Sequence, residues 1–184
     1  MSISPMKTKG RGALRGLTVG ATAIVLATVG FGGAPASAAT GTVAYDCLIF
    51  STHFDYNAKV TMKSTGSRKV GATVTVTADL SALPGVAPVT VDSWKTTGVF
   101  AASGAQKTSI SASGPKKTGP IKPKGKIPIG KLTGKVKLKK AGKVTLTMGK
   151  LKITAVALGS SVAMNCTPKK NKPLPKLLKL TVKR

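Results

Sequence analysis

From residue 43 onward, apolar side chains recur at nearly every second position, and Thr, Ser and Lys fill the gaps. Val43, Tyr45, Cys47 and Ile49 share one phase, followed by Val60 and Met62. Val74, Val76, Ala78 and Leu80 alternate with Thr73, Thr75, Thr77 and Asp79. Val89 and Val91 begin a run through Trp94 to Phe100, and Ser109 to Ala112 forms a shorter one. Leu132, Val136 and Leu138 alternate with lysines, as do Val144, Leu146 and Met148 with Lys143, Thr145 and Thr147. Leu151, Ile153, Ala155 and Ala157 come after Gly149-Lys150, which reads as a turn; Val162, Met164 and Cys166 and then Leu178, Leu180 and Val182 complete the pattern. A period of two places alternate side chains on opposite faces of a strand. About eight or nine short strands punctuated by Gly, Pro, Asn and Ser predict an all-β sandwich or barrel, and no window supports a long amphipathic helix.

Two stretches break the alternation. Residues 114–130 hold four prolines and five lysines and read as an extended, exposed connection or edge, because proline donates nothing to a sheet ladder. Residues 168–175 form a second Lys/Pro segment. The last residues, 174–184, are cationic enough for a short membrane-active segment, but Thr181 and Val182 favour a final strand.

The first 38 residues follow different rules. Lys7, Lys9, Arg11 and Arg15 precede a charge-free apolar run from Leu17 to Phe31, and Ala36-Ser37-Ala38 supplies small residues where a signal peptidase reads. That order predicts a secretory signal peptide over 1–38, with cleavage before Ala39. The run is shorter than the ~20 residues of a bilayer span, so an uncleaved anchor is the weaker reading. Residues 39–184 then form one domain, secreted and free or held to the cell surface by non-covalent contacts.

Export changes the meaning of Cys47 and Cys166. Two cysteines in an oxidising compartment most simply make one disulfide, and both lie on the apolar phase of their strands. Free thiols or a metal site are the alternatives, but zinc wants about four ligands, and the chain offers two Cys and one His. No metal or cofactor is expected.

The opening Tyr45-x-Cys47, the Ile127-Pro128 before a strand, the run from Ala141-Gly142 to Thr154, and Asn165-Cys166-Thr167-Pro168 resemble a known domain of unknown function. It recurs in secreted actinobacterial proteins as a two-cysteine β-sandwich. The resemblance covers most of 43–184 and implies export and an immunoglobulin-like sandwich. It implies no activity and brings no catalytic or binding residues. Members of that family are rich in Thr and Pro without being strongly basic, so the lysines belong to this chain.

The chain is poorly equipped for catalysis. It has four aspartates (Asp46, Asp55, Asp79, Asp92), no Glu and one His, so the tuned acid–base pairs of hydrolysis are scarce. Ser51, His53 and Asp55 lie close in sequence, but no nucleophile-elbow motif surrounds them, and a surface pair of His53 with Asp55 is the plainer reading. A non-enzymatic protein is expected. Sugar binding would need exposed rings; Tyr45 and Trp94 fall in core positions, leaving Phe50, Phe54 and Tyr56 as a candidate cluster.

Charge is the strongest functional signal. Residues 39–114 carry six basic residues and all four acids, whereas 115–184 carry twenty basic residues and no acid. A small soluble domain needs a net charge of only about 2–8. This asymmetry points to an anionic partner, with Lys116, Lys117, Lys122, Lys124, Lys126, Lys135, Lys137, Lys139 and Lys140 as the candidate contacts. The lysines of 131–139 and 143–152 are expected on one charged sheet face. Arg68 and Arg184 are the sole arginines after the signal, and no aromatic follows Phe100, so bidentate base reading and base stacking are poorly supplied. What is left is non-specific attraction to dense polyanions such as wall teichoic or teichuronic acids, extracellular DNA, polyphosphate or an anionic lipid surface. The alternatives are a cationic membrane-active or antimicrobial protein, and a structural surface module whose lysines serve solubility alone. Oligomeric state is not encoded in any of these features.

Overall fold

The alternation becomes ten antiparallel strands in a computed structural model that describes residues 38–184. The expected signal peptide lies outside the described residues, apart from Ala38. The strands are β1 (Ala38–Ile49), β2 (Thr52–Thr65), β3 (Thr73–Leu80), β4 (Val91–Gly104) and β5 (Thr108–Ser113). They continue as β6 (Lys117–Ile121), β7 (Gly130–Lys137), β8 (Gly142–Ala157), β9 (Ser160–Pro168) and β10 (Leu178–Val182).

Their pairings make one sheet that returns to its start. Hydrogen bonding runs β8–β9–β1–β2–β3–β7–β5–β4, and β4 pairs again with β8. Eight strands thus form a ring, in which the first part of β1, Ala38 to Ala44, pairs with β2 alone, and closure leaves few templates for edge-to-edge aggregation. Two strands lie outside the ring. β10 pairs with the first part of β8, Gly142 to Leu146, beside the stretch that β9 takes from Leu151. β6 pairs with the start of β4 at Val91 to Trp94, so the Lys/Pro segment is in part an edge strand, and Pro120 sits on that edge.

Burial follows the alternation closely. In β7, Leu132, Gly134 and Val136 are buried while Lys131, Thr133, Lys135 and Lys137 are exposed. Tyr45, Tyr56, Phe100, Met62 and Met148 fill the interior, and Trp94 plugs it with its indole N–H donated to the Pro128 carbonyl at 2.9 Å. The final segment holds a strand in which Leu178, Leu180 and Val182 are buried.

Cys47 and Cys166 form the expected disulfide, both fully buried. They stand opposite each other in the register of β1 and β9, so the bridge ties neighbouring strands of the same sheet.

One expected turn is absent. Gly149 and Lys150 sit inside a continuous sixteen-residue β8. Gly98 pairs with Leu151 and Phe100 with Met148, so Val99 alone opposes both residues. This is a β-bulge, with two residues facing one. Like a turn, it shifts the apolar phase, here from Met148 to Leu151. A Cβ on Gly149 would lie 3.0 Å from the Val99 carbonyl oxygen, which is why glycine occupies the bulge.

Candidate polyanion-binding surfaces

The topology separates the lysines that the sequence placed on one face. β7 and β8 are not neighbours; β5 and β4 lie between them, with Ser109, Ser111, Ser113, Thr97 and Ala101 at outward positions. The nine candidate lysines accordingly fall into two groups. Lys135, Lys137, Lys139 and Lys140 stand on and after β7, while Lys116, Lys117, Lys122, Lys124 and Lys126 lie along β6 and its flanking loops. Eight of the nine are exposed. Lys117 is half-buried, and its ammonium donates to the same Pro128 carbonyl at 3.1 Å, so its charge is engaged within the fold.

Lys137, Lys139 and Lys140 of the first group belong to a larger cluster at one end of the ring. There, β2, β4, β7 and β10 finish at Thr65, Gly104, Lys137 and Val182. Backbone bonds lace the loops together: the Val70 amide donates to the Lys183 carbonyl at 2.9 Å, and the Lys183 amide to the Arg68 carbonyl at 2.8 Å. The Gly71 amide donates to the Leu138 carbonyl at 2.7 Å, and the Ala105 amide to the Lys143 carbonyl at 2.9 Å. The side-chain amide of Gln106, itself buried, donates to the Lys137 carbonyl at 3.0 Å, while its oxygen accepts from the Lys139 amide at 2.7 Å. Arg68, Lys69, Lys107, Lys137, Lys139, Lys140, Lys143 and Lys183 therefore come from four separate segments to one end. None of the four aspartates lies in these loops.

Sequence reasoning missed how this cluster forms. Arg68, Lys69 and Lys107 belong to the half with little net charge, and a chain-order count hides that loop contacts carry them to the lysines of the other half. Lys150 and Lys152 were legible as outward residues but had no site. They line a shallow depression of about 480 Å³ across four strands. Ser113, Thr97, Lys152 and Asn165 form one register row across β5, β4, β8 and β9 there. Hydroxyls and an amide beside two ammonium groups can bind the phosphates and polyol oxygens of one polymer strand.

The acids stand elsewhere, and two are engaged. Asp46 accepts from His53 Nδ1 at 2.9 Å across the β1–β2 hairpin, and Asp55 accepts from the Lys169 ammonium at 2.7 Å. His53 is thus paired with Asp46 and not with Asp55, its neighbour on the same strand face. Asp79 stands opposite Lys131 in the register of β3 and β7. The candidate aromatic cluster does not assemble: Tyr56 is buried, Phe54 is partly buried against the core, and Phe50 alone is exposed. Among the described residues, no group of three or more His, Cys, Asp or Glu is placed to hold a metal ion.

Neither a family model, nor a curated protein, nor a solved structure matches this chain.

Proposed function

We propose that this is a secreted, non-enzymatic protein that associates electrostatically with anionic polymers of the cell envelope or the extracellular matrix. The observation that carries the reading is the lysine-rich end of the ring. Seven lysines from four segments are held there by cross-loop hydrogen bonds, and none of the four aspartates lies in those loops. Like charges at that density repel, so the fold bears a cost that a polyanion would remove. Lysine dominates the cluster and acts as a point charge, which suits any dense phosphate or carboxylate polymer through counterion release. The hydroxyl-lined depression around Lys150 and Lys152 fits a polymer with a polyol backbone better than stacked bases. A buried disulfide is compatible with the export that the N-terminal residues predict. Kinship with the secreted two-cysteine domains of actinobacteria belongs to the same proposal. So does an immunoglobulin-like packing, in which opposite walls of the ring face each other as two layers around Trp94; the same-sheet disulfide is where this chain would depart from it.

Retention on immobilised polyphosphate or on cell-wall material, measured against salt, tests the reading. Attachment should fall steeply as salt rises, and neutralising Lys69, Lys139, Lys140 and Lys143 to Gln should flatten that dependence by about one unit of log slope per lost contact. Retention unchanged up to about 1 M salt, where exposed charges are screened beyond ~3 Å, would overturn it. So would a neutralised variant that binds like the parent, since the lysines would then serve solubility alone.

A further inference from the structure

The end of the ring opposite the basic cluster is apolar and open. Phe50 and Leu158 occupy the turns of the β1–β2 and β8–β9 hairpins and are 81% and 78% exposed. Among the described residues they are the two most exposed large apolar side chains, and both line the same cavity. Its volume is about 270 Å³. The buried core residues Ile127, Ile153 and Met164 also line it, so the mouth reaches the interior of the ring. Ser160 is the sole polar side chain in the lining. Taking the ~30 Å³ that one water occupies in the liquid as a unit, the cavity accommodates about nine water- or methylene-sized groups. Barrel mouths are common places for small apolar ligands.

A lysine-bearing segment runs beside this mouth. Ala87, which lines it, accepts a hydrogen bond from the Lys124 amide at 2.8 Å. Lys122, Lys124 and Lys126 are all exposed on that segment. No carboxylate lines the cavity. An apolar slot beside a segment of exposed lysines complements a molecule that is apolar at one end and anionic at the other.

We infer that the mouth between Phe50 and Leu158 binds the alkyl chain of a single-chain anionic amphiphile of the fatty-acid class, with its carboxylate at Lys122, Lys124 and Lys126. This site goes beyond polymer binding and lies at the other end of the molecule. The chain enters between the two hairpin tips and reaches toward Ile153 and Met164. The protein thereby holds its two ligand classes apart.

Sodium decanoate and dodecanoate, each below its aggregation threshold, are titrated into the exported form of the protein by calorimetry, with the Met164 methyl resonance as a local reporter. One saturable site is expected, tightest near eight to ten carbons, with the Met164 signal shifting in step. Phe50→Gly and Leu158→Gly relieve left-handed backbone, so folding is not at risk; each should weaken binding about tenfold. Replacing Lys122, Lys124 and Lys126 together by Gln should weaken decanoate but leave decanol unchanged. A response without saturation, indifference to chain length, or a silent Met164 methyl would overturn the inference. Attachment to phosphatidylglycerol vesicles without binding of the monomeric acid would also overturn it, because the tips would then dock on a membrane surface. Loss of polyphosphate retention in the basic-end variant with decanoate binding intact separates a failure of the polymer reading from a failure of this one.

Discussion

Phe50 and Leu158 share a backbone conformation that neither side chain favours, with φ of 52° and 50° at the tips of two hairpins. A Cβ in the left-handed region crowds the following carbonyl oxygen, and glycine, asparagine or aspartate usually takes such positions. Two large apolar residues there are strained at the backbone and unrewarded by burial. Phe50→Gly and Leu158→Gly should each therefore raise stability, by about 1 kcal/mol after the added entropy of the unfolded glycine chain is set against the relieved strain. Urea denaturation followed by tryptophan fluorescence measures this directly, and a loss of stability in both variants would show that the tips pack in solution.

The disulfide should be a major support of the fold. Its cysteines are 119 residues apart in sequence, and in the chain-entropy model closing a loop of that size is worth about 4–5 kcal/mol. Both sulfurs are buried, so reductant should act slowly unless denaturant opens the β1–β9 pairing. Cys47→Ala, Cys166→Ala and the double variant should lose nearly the same stability, since any of them removes the same bond. A double variant within about 1 kcal/mol of the parent would contradict this.

Much of the fold was legible because the signal was local. Leu132 and Val136 against Lys131, Lys135 and Lys137 gives a strand with a known inner face, whatever it pairs with. The two cysteines added one long-range constraint, since both fell on inner faces. Partner choice left no comparable mark. Nothing in the sequence near Gly134 says that Ala112 lies across from it, and so the lysines of β7 and β8 looked like neighbours when two strands separate them. The Gly149-Lys150 bulge was hidden for a related reason, because a bulge and a turn make the same change of phase. Cross-loop bonds such as that from the Val70 amide to the Lys183 carbonyl are backbone events, and no side-chain pattern announces them.

Alkaline pH should unfold the protein through its two tyrosines. Burial raises the Tyr45 phenol far above its ordinary value of 10.0, and the nearby Tyr56 raises it further. Burial also raises Tyr56, partly offset by the Ser81 side chain. Each hydroxyl donates to a carbonyl, Tyr45 to Gly149 at 3.0 Å and Tyr56 to Ser81 at 2.5 Å, and ionisation would forfeit both bonds. The folded state holds these protons more tightly than the unfolded state, so their contribution is fully present below pH 10.0 and declines as pH rises beyond it. Tyrosinate absorbance near 295 nm should therefore appear together with the loss of β-sheet circular dichroism. Ionisation of both phenols in a protein that keeps its native spectrum would refute the coupling.

Gln106 links stability to the basic end, and the two effects can be separated. Its buried amide spans Lys137 and Lys139, donating to one backbone and accepting from the other. Gln106→Ala removes both hydrogen bonds, at about 0.5–1.5 kcal/mol for each bond lost. The same change frees the loop at 138–141 that carries Lys139 and Lys140, while the formal charge stays as it was. If polyanion binding depended on net charge alone, this variant would bind like the parent wherever both are folded. Held charges predict otherwise: a polymer must then order the loop on binding, and affinity should drop several-fold with the salt slope nearly unchanged. Gln106→Glu offers a sharper contrast, because a carboxylate keeps the acceptor for the Lys139 amide, loses the donor to Lys137, and places a negative charge among the lysines. Its stability should lie between those of the parent and the alanine variant, with weaker binding and a shallower salt slope. Equal binding by all three proteins under folded conditions would mean that the cross-loop bonds hold the fold together without arranging its charges.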